Sequence, residues 1–172
     1  MTKSLGTITL NGNPLTLIGS AVGVGDKAPD VELVDNDMKP VRISSFRGKV
    51  CVVASVPSLD TPVCDMETRR FNKDAAGLSN AVEMVTISMD LPFAQKRWCG
   101  LAGVDRVTAL SDHREAAFGN AYGVLIQELR LLARAVFVID REGVIRYREL
   151  VSEVAEEPDY ASVLEAVRGL TV

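Results

Sequence analysis

The sequence predicts an α/β protein with a mixed central β-sheet and helices on both of its faces. Strands and helices alternate through the middle of the chain, and residues 50–56 and 82–88 are apolar, β-branched runs typical of strands buried on both faces. A hairpin of residues 135–139 and 144–150 then precedes a closing helix. This order indicates a sheet that combines parallel and antiparallel strands.

The N-terminal residues predict a β-hairpin ahead of this core. Residues 7–10 and 15–18 flank Asn11-Gly12, a dipeptide typical of two-residue hairpin turns, although the turn could extend as far as Pro14. We expect the hairpin to occupy residues 1–20 as an extension of the core.

The helices are predicted from their start and stop signals. Thr61 is a suitable N-cap and Pro62 suits the first helical position, so we expect a helix over residues 62–78. A short helix is expected over residues 92–101, with Gly100 as its stop. The remaining expected elements are strands at 31–34, 41–43 and 107–110, a helical turn at 113–118, a loop at 125–130 and a closing helix at 158–170.

Composition limits the class of protein. The chain has 172 residues, and this length favours one domain, residues 1–172, with a substantial core. A hydrophobic fraction of 47% and a charged fraction of 24% are typical of a soluble globular protein. The formal net charge of −4, without a basic cluster, argues against binding to nucleic acid or to an anionic membrane. The sequence shows neither a signal peptide nor a membrane-spanning stretch, so we expect a cytoplasmic protein.

Three cysteines, Cys51, Cys64 and Cys99, limit the redox and metal chemistry. This small, odd number does not suggest the disulfide framework of a secreted domain, and a disulfide in a reducing cytoplasm would be transient and catalytic. No two cysteines have the close spacing of a zinc site, and the only histidine, His113, is distant in sequence. Cys51 lies within an apolar strand, where a free cysteine is commonly a buried packing residue.

Cys64 is the first candidate for chemistry, because it falls in the first turn of the helix predicted to begin at Pro62. The unpaired N–H groups and the positive dipole end of a helix N-terminus stabilise a thiolate, which is the nucleophilic form of cysteine. The residues by themselves also allow a cysteine that merely lies near a helix cap.

Arg134 is the second candidate, because it interrupts the apolar run of residues 131–137. An arginine in such a run either faces water from an edge strand or meets an anion, since an unpaired buried charge is costly. A planar guanidinium donates to two acceptors at once, so lysine would not be a conservative replacement.

Several segments carry a resemblance to a known family. Pro57, Thr61 and Cys64 match the pattern Pro-x-x-x-Thr-x-x-Cys, which is similar to the active-site motif of the peroxiredoxins. Within that family the chain resembles the bacterial thiol peroxidase subgroup, which is of the atypical two-cysteine type. Residues 88–100 resemble the segment that bears the subgroup's resolving cysteine, and residues 133–140 resemble the strand that bears its active-site arginine. Residues 10–14 resemble its extra hairpin, and residues 157–160 resemble its C-terminal segment.

The resemblance implies a thioredoxin-like fold and a peroxidase that reduces hydrogen peroxide and organic hydroperoxides. Cys64 would attack the hydroperoxide and become a sulfenic acid, and Cys99 would resolve it as an intramolecular Cys64–Cys99 disulfide. Thioredoxin would reduce that disulfide, and the working form would be a homodimer. Sulfur performs this chemistry, so no metal, haem or flavin cofactor is required.

Two motif residues keep alternative interpretations at this point. The Thr61 hydroxyl either caps the helix or donates toward the sulfur and the bound peroxide. Pro57 either shields the thiolate from water or ends the preceding strand. For Arg134, the resemblance implies contact with the thiolate and the peroxide.

Cys99 is expected near the C-terminal end of its helix, which disfavours an anion and should keep this thiol mostly protonated. A disulfide requires Cα atoms within roughly 7 Å of each other, and two cysteines on separate helices are not expected to start that close. We therefore expect the first turn at Cys64, the short helix at Cys99, or both, to unravel in each cycle. The neighbouring Leu91, Phe93 and Trp98 either pack the short helix or form an apolar surface for organic hydroperoxides or for a reductase.

Two rival functions remain open from the sequence. A thioredoxin-fold disulfide exchanger would need a close Cys-x-x-Cys pair, and Thr61 stands where Cys64 would need its partner. A redox sensor or chaperone module would use the Cys64–Cys99 disulfide as a switch, with slow oxidation and no turnover. The segment 125–130 departs from the glycine-rich pattern of the subgroup, so the resemblance does not extend to this part of the pocket rim.

Overall fold

The structure is a computed structural model that describes residues 2–171, so Met1 and Val172, the ends of the predicted domain, lie outside the described residues. In chain order its strands are β1 (Lys3–Leu10), β2 (Asn13–Ile18), β3 (Glu32–Val34), β4 (Pro40–Arg42), β5 (Val50–Ser55), β6 (Val82–Ser88), β7 (Thr108–Ser111), β8 (Leu125–Ile126), β9 (Leu131–Leu132), β10 (Ala135–Ile139) and β11 (Ile145–Leu150). The α-helices are α1 (Pro62–Ala76), α2 (Pro92–Ala102), α3 (Ala117–Tyr122) and α4 (Tyr160–Thr171), and a 3-10 helix covers Ile43–Phe46.

A seven-stranded mixed sheet forms the centre of the described chain, in the order β11-β10-β5-β6-β7-β3-β4. Strands β5, β6 and β7 run parallel, whereas β10 is antiparallel to β5 and β3 is antiparallel to β7. Every residue of β5 is buried, which explains its continuous apolar sequence. The mixed α/β sheet predicted from the sequence is confirmed.

The two faces of this sheet carry different layers. On one face, Val52 of β5 belongs to the same packed cluster as Phe71 of α1 and Val163 of α4. Successive strand residues point to opposite faces, so Cys51 instead packs in the cluster that contains Phe118 of α3. Burial raises the pKa of Cys51 above its ordinary value, and this thiol is a packing residue as expected.

The predicted N-terminal hairpin is formed by β1 and β2. Leu10 pairs with Asn13 across a two-residue turn in which Asn11 and Gly12 have φ angles of 50° and 80°. Positive φ at both central positions matches the right-handed twist of the flanking strands. The turn does not extend to Pro14, which lies within β2.

A second sheet extends this hairpin in the order β1-β2-β8-β9. The segment 125–130, expected to be a loop, begins with β8, in which Leu125 and Ile126 pair with Ile18 and Leu17. Residues 127–130 then turn the chain into β9. A two-residue strand carries no periodic pattern, so pairing with the hairpin defines it and local propensity does not.

The ends of α1 and α2 differ from the prediction. Helix α1 ends at Ala76 rather than at residue 78. Helix α2 passes through Gly100 and continues to Ala102, because its stop is Gly103, which has the left-handed φ of 66°. Within residues 2–171, no helix is both long enough and apolar enough to cross a membrane.

Helix α3 lies later than the helical turn predicted at residues 113–118. The Asp112 carboxylate accepts hydrogen bonds from the N–H groups of Phe118 and Gly119 at 3.0 and 2.9 Å. A carboxylate that satisfies first-turn N–H groups sets the start of a helix, so this helix begins at Ala117.

Candidate active site

The sheet brings the candidate site residues to one edge. Parallel β5 and β6 end side by side, with Ser55 opposite Ile87, so the segments that lead into α1 and α2 leave the sheet at the same edge. Ala135 at the start of antiparallel β10 pairs with Ser55, which places Arg134 at this edge as well. The sheet topology therefore gathers the segments that bear Cys64, Cys99 and Arg134.

Cys64 is the third residue of α1, and its exposed fraction is 0%. Thr61 occupies the N-cap position in an extended conformation, and its carbonyl accepts the Asp65 N–H at 2.9 Å. The N–H groups of the first helical turn have no carbonyl partner within the helix, so the thiol lies in the positive field of the helix start. The buried apolar residues packed with Cys64 are Val56 and Leu59.

Arg134 donates to the Cys64 sulfur. Its Nη2 lies 3.4 Å from Cys64 Sγ, and its exposed fraction is 2%, which excludes an edge-strand arginine that faces water. Nη1 forms an ion pair with Glu67, while Nε and Nη2 donate to the Val154 carbonyl at 3.1 and 2.9 Å. The guanidinium is thus held on several sides, with one donor pointed at the sulfur.

Glu67 belongs to this site and was missed in the sequence. It lies one helical turn after Cys64, and spacing of three residues places both side chains on one face of α1, which was the available signal. Glu67 is fully buried, and burial raises its pKa to about 7 despite the opposing effect of Arg134. Within residues 2–171 its second oxygen, Oε1, has no hydrogen-bond partner, so the pair with Arg134 satisfies only half of the carboxylate.

Thr61 and Pro57 occupy the loop between β5 and α1. Thr61 holds the predicted N-cap position, but its hydroxyl donates to the Ser58 carbonyl at 2.8 Å and makes no side-chain cap, so only the alternative in which the hydroxyl caps the helix is wrong. This bond uses the hydroxyl proton, and the lone pairs of the oxygen stay available to accept. Pro57 is buried where the chain leaves the sheet.

Cys99 lies in the last turn of α2, at the opposite helix pole from Cys64, as expected. Its side chain is half-buried, and burial raises its pKa above the ordinary value, while a hydrogen bond with Asn36 acts in the opposite direction. The expected direction is therefore present, but desolvation is its main cause. All three cysteines are free thiols in the structure.

Two sets of polar contacts join the segments of Cys64 and Cys99. The first lies between the helices: Trp98 Nε1 donates to Asp65 Oδ1 at 3.0 Å, and Arg69 binds both Asp65 Oδ2 at 2.9 Å and the Ala102 carbonyl at 3.1 Å. Asp65 follows Cys64 directly and Trp98 precedes Cys99, so this link connects the immediate neighbours of both thiols.

The second set is centred on Asp90, in the short segment before α2. Its carboxylate accepts hydrogen bonds from the Ser58 hydroxyl at 2.7 Å, the Leu59 N–H at 2.8 Å and the Ser88 hydroxyl at 2.7 Å. Ser58 and Leu59 belong to the loop that leads into α1. One carboxylate therefore holds the loop before Cys64 against the segment before Cys99.

The apolar residues around Cys99 divide between packing and surface. Trp98 packs against both the Cys64 cluster and the larger core cluster beside α1, whereas Leu91 and Phe93 are 54% and 67% exposed. Of these three residues, only Trp98 therefore packs the short helix, and Leu91 and Phe93 form an exposed apolar surface. A groove between the loop before α1 and one face of α2 is lined by Leu59, Asp60, Asp90, Ala94, Arg97, Trp98 and Leu101.

Comparison with known proteins identifies the family of this chain. A family model described as Redoxin matches residues 23–164. The chain belongs to the Redoxin family. The thiol peroxidase of Halalkalibacterium halodurans is 53% identical over 165 residues, covering 96% of this chain and 99% of the relative. That of Bacillus subtilis is 51% identical over 163 residues, covering 95% and 97%.

Solved structures place this Redoxin chain among the peroxiredoxins. A peroxiredoxin-like protein from Aquifex aeolicus superimposes with a TM-score of 0.90 at 45% identity, covering 96% of this chain and 97% of that one. The thioredoxin-like fold and the bacterial thiol peroxidase resemblance are confirmed, and the chain is a peroxidase. Within the described residues, no group of three His, Cys, Asp or Glu side chains is placed to hold a metal ion.

The raised pKa of Glu67 predicts a pH-dependent stability. The folded chain binds the Glu67 proton more tightly than the unfolded chain, so this contribution is complete below pH 4.5 and is lost as the pH rises through about 7. Relative to Glu67→Gln, the free energy of unfolding of the wild type should fall by more than about 1.4 kcal/mol, the equivalent of one pKa unit, across this range.

Urea unfolding of both proteins between pH 4 and pH 8 measures this difference. The exposed Glu165→Gln variant is the control for loss of a carboxylate, and its difference from the wild type should stay constant. A Glu67→Gln difference that is equally independent of pH would show that the Glu67 pKa is not raised.

Proposed function

We propose that this peroxidase reduces hydrogen peroxide and organic hydroperoxides with Cys64 as the nucleophile, and that Cys99 resolves the oxidised form as an intramolecular Cys64–Cys99 disulfide. The observation that carries the proposal is the 3.4 Å contact from Arg134 Nη2 to Cys64 Sγ at a buried helix start. A cationic donor and a helix N-terminus both favour the thiolate, and the same donors can stabilise charge on a departing oxygen.

The first step oxidises Cys64 and reduces the peroxide. The thiolate sulfur attacks the terminal oxygen, a sulfur–oxygen bond forms, and the O–O bond breaks. The second oxygen leaves with the bonding pair, takes a proton, and becomes water or an alcohol. Arg134 is the hydrogen-bond donor for the sulfur and for the peroxide oxygens. The lone pairs of the Thr61 hydroxyl can accept the O–H of the peroxide, and Pro57 excludes water from the loop.

The second step joins the two cysteines. The Cys99 thiol attacks the sulfenic sulfur of Cys64, the S–S bond forms, and the S–O bond breaks with release of water. Because Cys64 is buried at the start of α1 and Cys99 lies in the last turn of another helix, we propose that local unwinding precedes bond formation. The contacts that must yield are those of Asp65 with Trp98 and of Asp90 with the loop before α1.

The third step returns both thiols. A dithiol protein, proposed to be thioredoxin, exchanges with the Cys64–Cys99 disulfide and leaves as a disulfide itself, so electrons and protons balance. The exposed Leu91, Phe93 and Leu101 give α2 an apolar surface for such contacts, and apolar groove residues such as Ala94 suit the organic part of a hydroperoxide. A homodimer in the reducing cytoplasm is the proposed working form.

Cysteine variants test the assignment of roles. We expect Cys64→Ser to lose all peroxide turnover in the presence of thioredoxin, thioredoxin reductase and NADPH. Cys99→Ser should keep the first oxidation and lose recycling by thioredoxin, whereas Cys51→Ser is the control and should stay near wild-type turnover. The measurement is NADPH consumption. Normal turnover in Cys64→Ser would overturn the proposal, and a wild type that oxidises once without recycling would favour a redox sensor.

Arg134→Lys tests the role of the guanidinium. Lysine keeps the charge but cannot donate to the sulfur, the Val154 carbonyl and Glu67 from one plane. Hydrogen bonds to charged groups contribute about 1.5–3 kcal/mol, so the rate constant for oxidation of Cys64 should fall about 10- to 100-fold. Stopped-flow measurement on reduced protein gives this rate.

The matched control is Arg146→Lys, because Arg146 also pairs with a carboxylate, Asp140 at 2.6 Å, but lies on β11 away from the sulfur. Its rate should equal that of the wild type. Equal rates for Arg134→Lys and the wild type would remove Arg134 from the reaction.

Hydrogen exchange tests the unwinding step. Amides in residues 58–65 and 93–104 should exchange faster in the disulfide form than in the reduced form, while those of β6 should not change. Cys99→Ser exposed to the same peroxide cannot form the disulfide and should keep slow exchange in α2. Identical exchange in the reduced and disulfide forms would contradict the expected unwinding.

A further inference from the structure

The position of Arg134 depends on a carbonyl outside the regular elements of the fold. Nη2 donates both to Cys64 Sγ and to the Val154 carbonyl, and Nε donates to the same carbonyl. A planar guanidinium held along one edge has a fixed direction for its remaining N–H bonds. Movement of the Val154 carbonyl would therefore turn the donor away from the sulfur.

Val154 lies in the segment between β11 and α4, and contact with the N-terminal hairpin fixes this segment. The Thr9 N–H donates to the Ser152 carbonyl at 2.8 Å, and the Val154 N–H donates to the Thr9 carbonyl at 2.9 Å. These two bonds place the Thr9 backbone on both sides of Glu153, as in a short parallel bridge. The segment has no strand of its own. Besides this contact, it is held by the Val151 N–H, which donates to the Arg134 carbonyl at 3.0 Å, and by the buried Val154 side chain, so the hairpin supplies the support next to the Val154 carbonyl.

Glu153 secures the same contact with its side chain. Its carboxylate accepts the Thr9 hydroxyl at 2.8 Å, the N–H groups of Asn11 and Gly12 at 3.0 and 3.1 Å, and the Ala155 N–H at 3.1 Å. The Thr9 hydroxyl, with help from these backbone N–H groups, lowers the pKa of Glu153 to about 2. The carboxylate is therefore ionised at neutral pH and joins the hairpin turn to the segment that bears Val154.

We infer that Glu153 is a positioning residue for the peroxidase reaction, which acts through the β1–β2 hairpin to fix the Val154 carbonyl and thereby the Arg134 guanidinium on Cys64. This inference rests on the proposed role of Arg134. The N-terminal hairpin would thus act in catalysis through Arg134, the residue that donates to the Cys64 sulfur, and without direct contact of its own with that sulfur.

Glu128, in the turn between β8 and β9, provides a matched control because it contacts the same hairpin. Its carboxylate accepts the Thr16 N–H at 3.1 and 3.0 Å, so it also holds a hairpin strand with a side-chain carboxylate. The contact is on β2 and does not involve Val154 or its neighbours. Loss of Glu128 changes charge and hairpin anchoring as loss of Glu153 does, without touching the support of Arg134.

The test compares Glu153→Ala with Glu128→Ala in the reduced protein. Displacement of a catalytic group by about 1 Å can cost up to 100-fold in rate, and we expect Glu153→Ala to lower the rate constant for oxidation of Cys64 about tenfold. Glu128→Ala should stay within about twofold of the wild type. Equal rates for Glu153→Ala and the wild type would overturn the inference. If Glu153→Ala does not fold, Thr9→Val is the second variant: it removes only the hydroxyl that donates to Glu153, and it should also lower the rate constant for oxidation of Cys64.

A double-mutant cycle separates positioning from general loss of stability. The Arg134→Lys variant lacks the two guanidinium N–H groups that donate to the Val154 carbonyl. In that background, Glu153→Ala should therefore cause no further loss of rate. Losses that multiply in the double variant would show that Glu153 acts independently of Arg134 and would overturn the inference.

A measurement without peroxide distinguishes failure of this inference from failure of the proposed function. NMR follows exchange of the Arg134 Nε proton, which donates to Val154, and this exchange should accelerate in Glu153→Ala but not in Glu128→Ala. Unchanged Nε exchange in Glu153→Ala would overturn the inference. A wild type whose Cys64 does not react with peroxide, with faster Nε exchange in Glu153→Ala, would instead remove the proposed function.

Discussion

A buried guanidinium organises the edge of the sheet from which the segments of Cys64 and Cys99 lead off. Arg134 is taken out of water, and a buried charge without partners would be costly, so the surrounding chain supplies them. Glu67 and Cys64 come from one face of α1, and the Val154 carbonyl comes from the segment before α4. The N-terminal hairpin in turn holds that segment. The arrangement that satisfies the charge of Arg134 also directs one of its N–H bonds at the sulfur.

The same edge also holds the reduced state together. Asp90 fastens the loop before α1 to the segment before α2, and Asp65 fastens the first turn of α1 to Trp98 of α2. These contacts are polar and partly exposed, so each contributes modestly and can break without disruption of the sheet. The core strands carry the stability, while the two cysteine segments are joined by bonds that a local unwinding step can release.

Much of the fold and of the site could be predicted from the sequence, because the signals were local. The local sequence predicts a buried strand from the β-branched run of β5 and a helix start from Thr61-Pro62. It also singles out Arg134, because this arginine lies within an apolar run. What the sequence did not reveal depends on tertiary contacts. Strand β8 exists through pairing with the hairpin, β9 exists through pairing with β8, and Asp112 shifts the start of α3. The support of Arg134 by Val154 is invisible in the sequence, because a main-chain carbonyl carries no residue identity.

The central claim is that Cys64, held by Arg134, is the sulfur that peroxide oxidises. The most direct measurement treats reduced Cys99→Ser with one equivalent of peroxide, traps sulfenic acid with dimedone, and locates the adduct by mass spectrometry of peptides. The structure and the proposed mechanism predict an adduct on Cys64, with Cys51 unmodified. An adduct on Cys51, or a reaction with peroxide that leaves Cys64 unmodified, would contradict the claim.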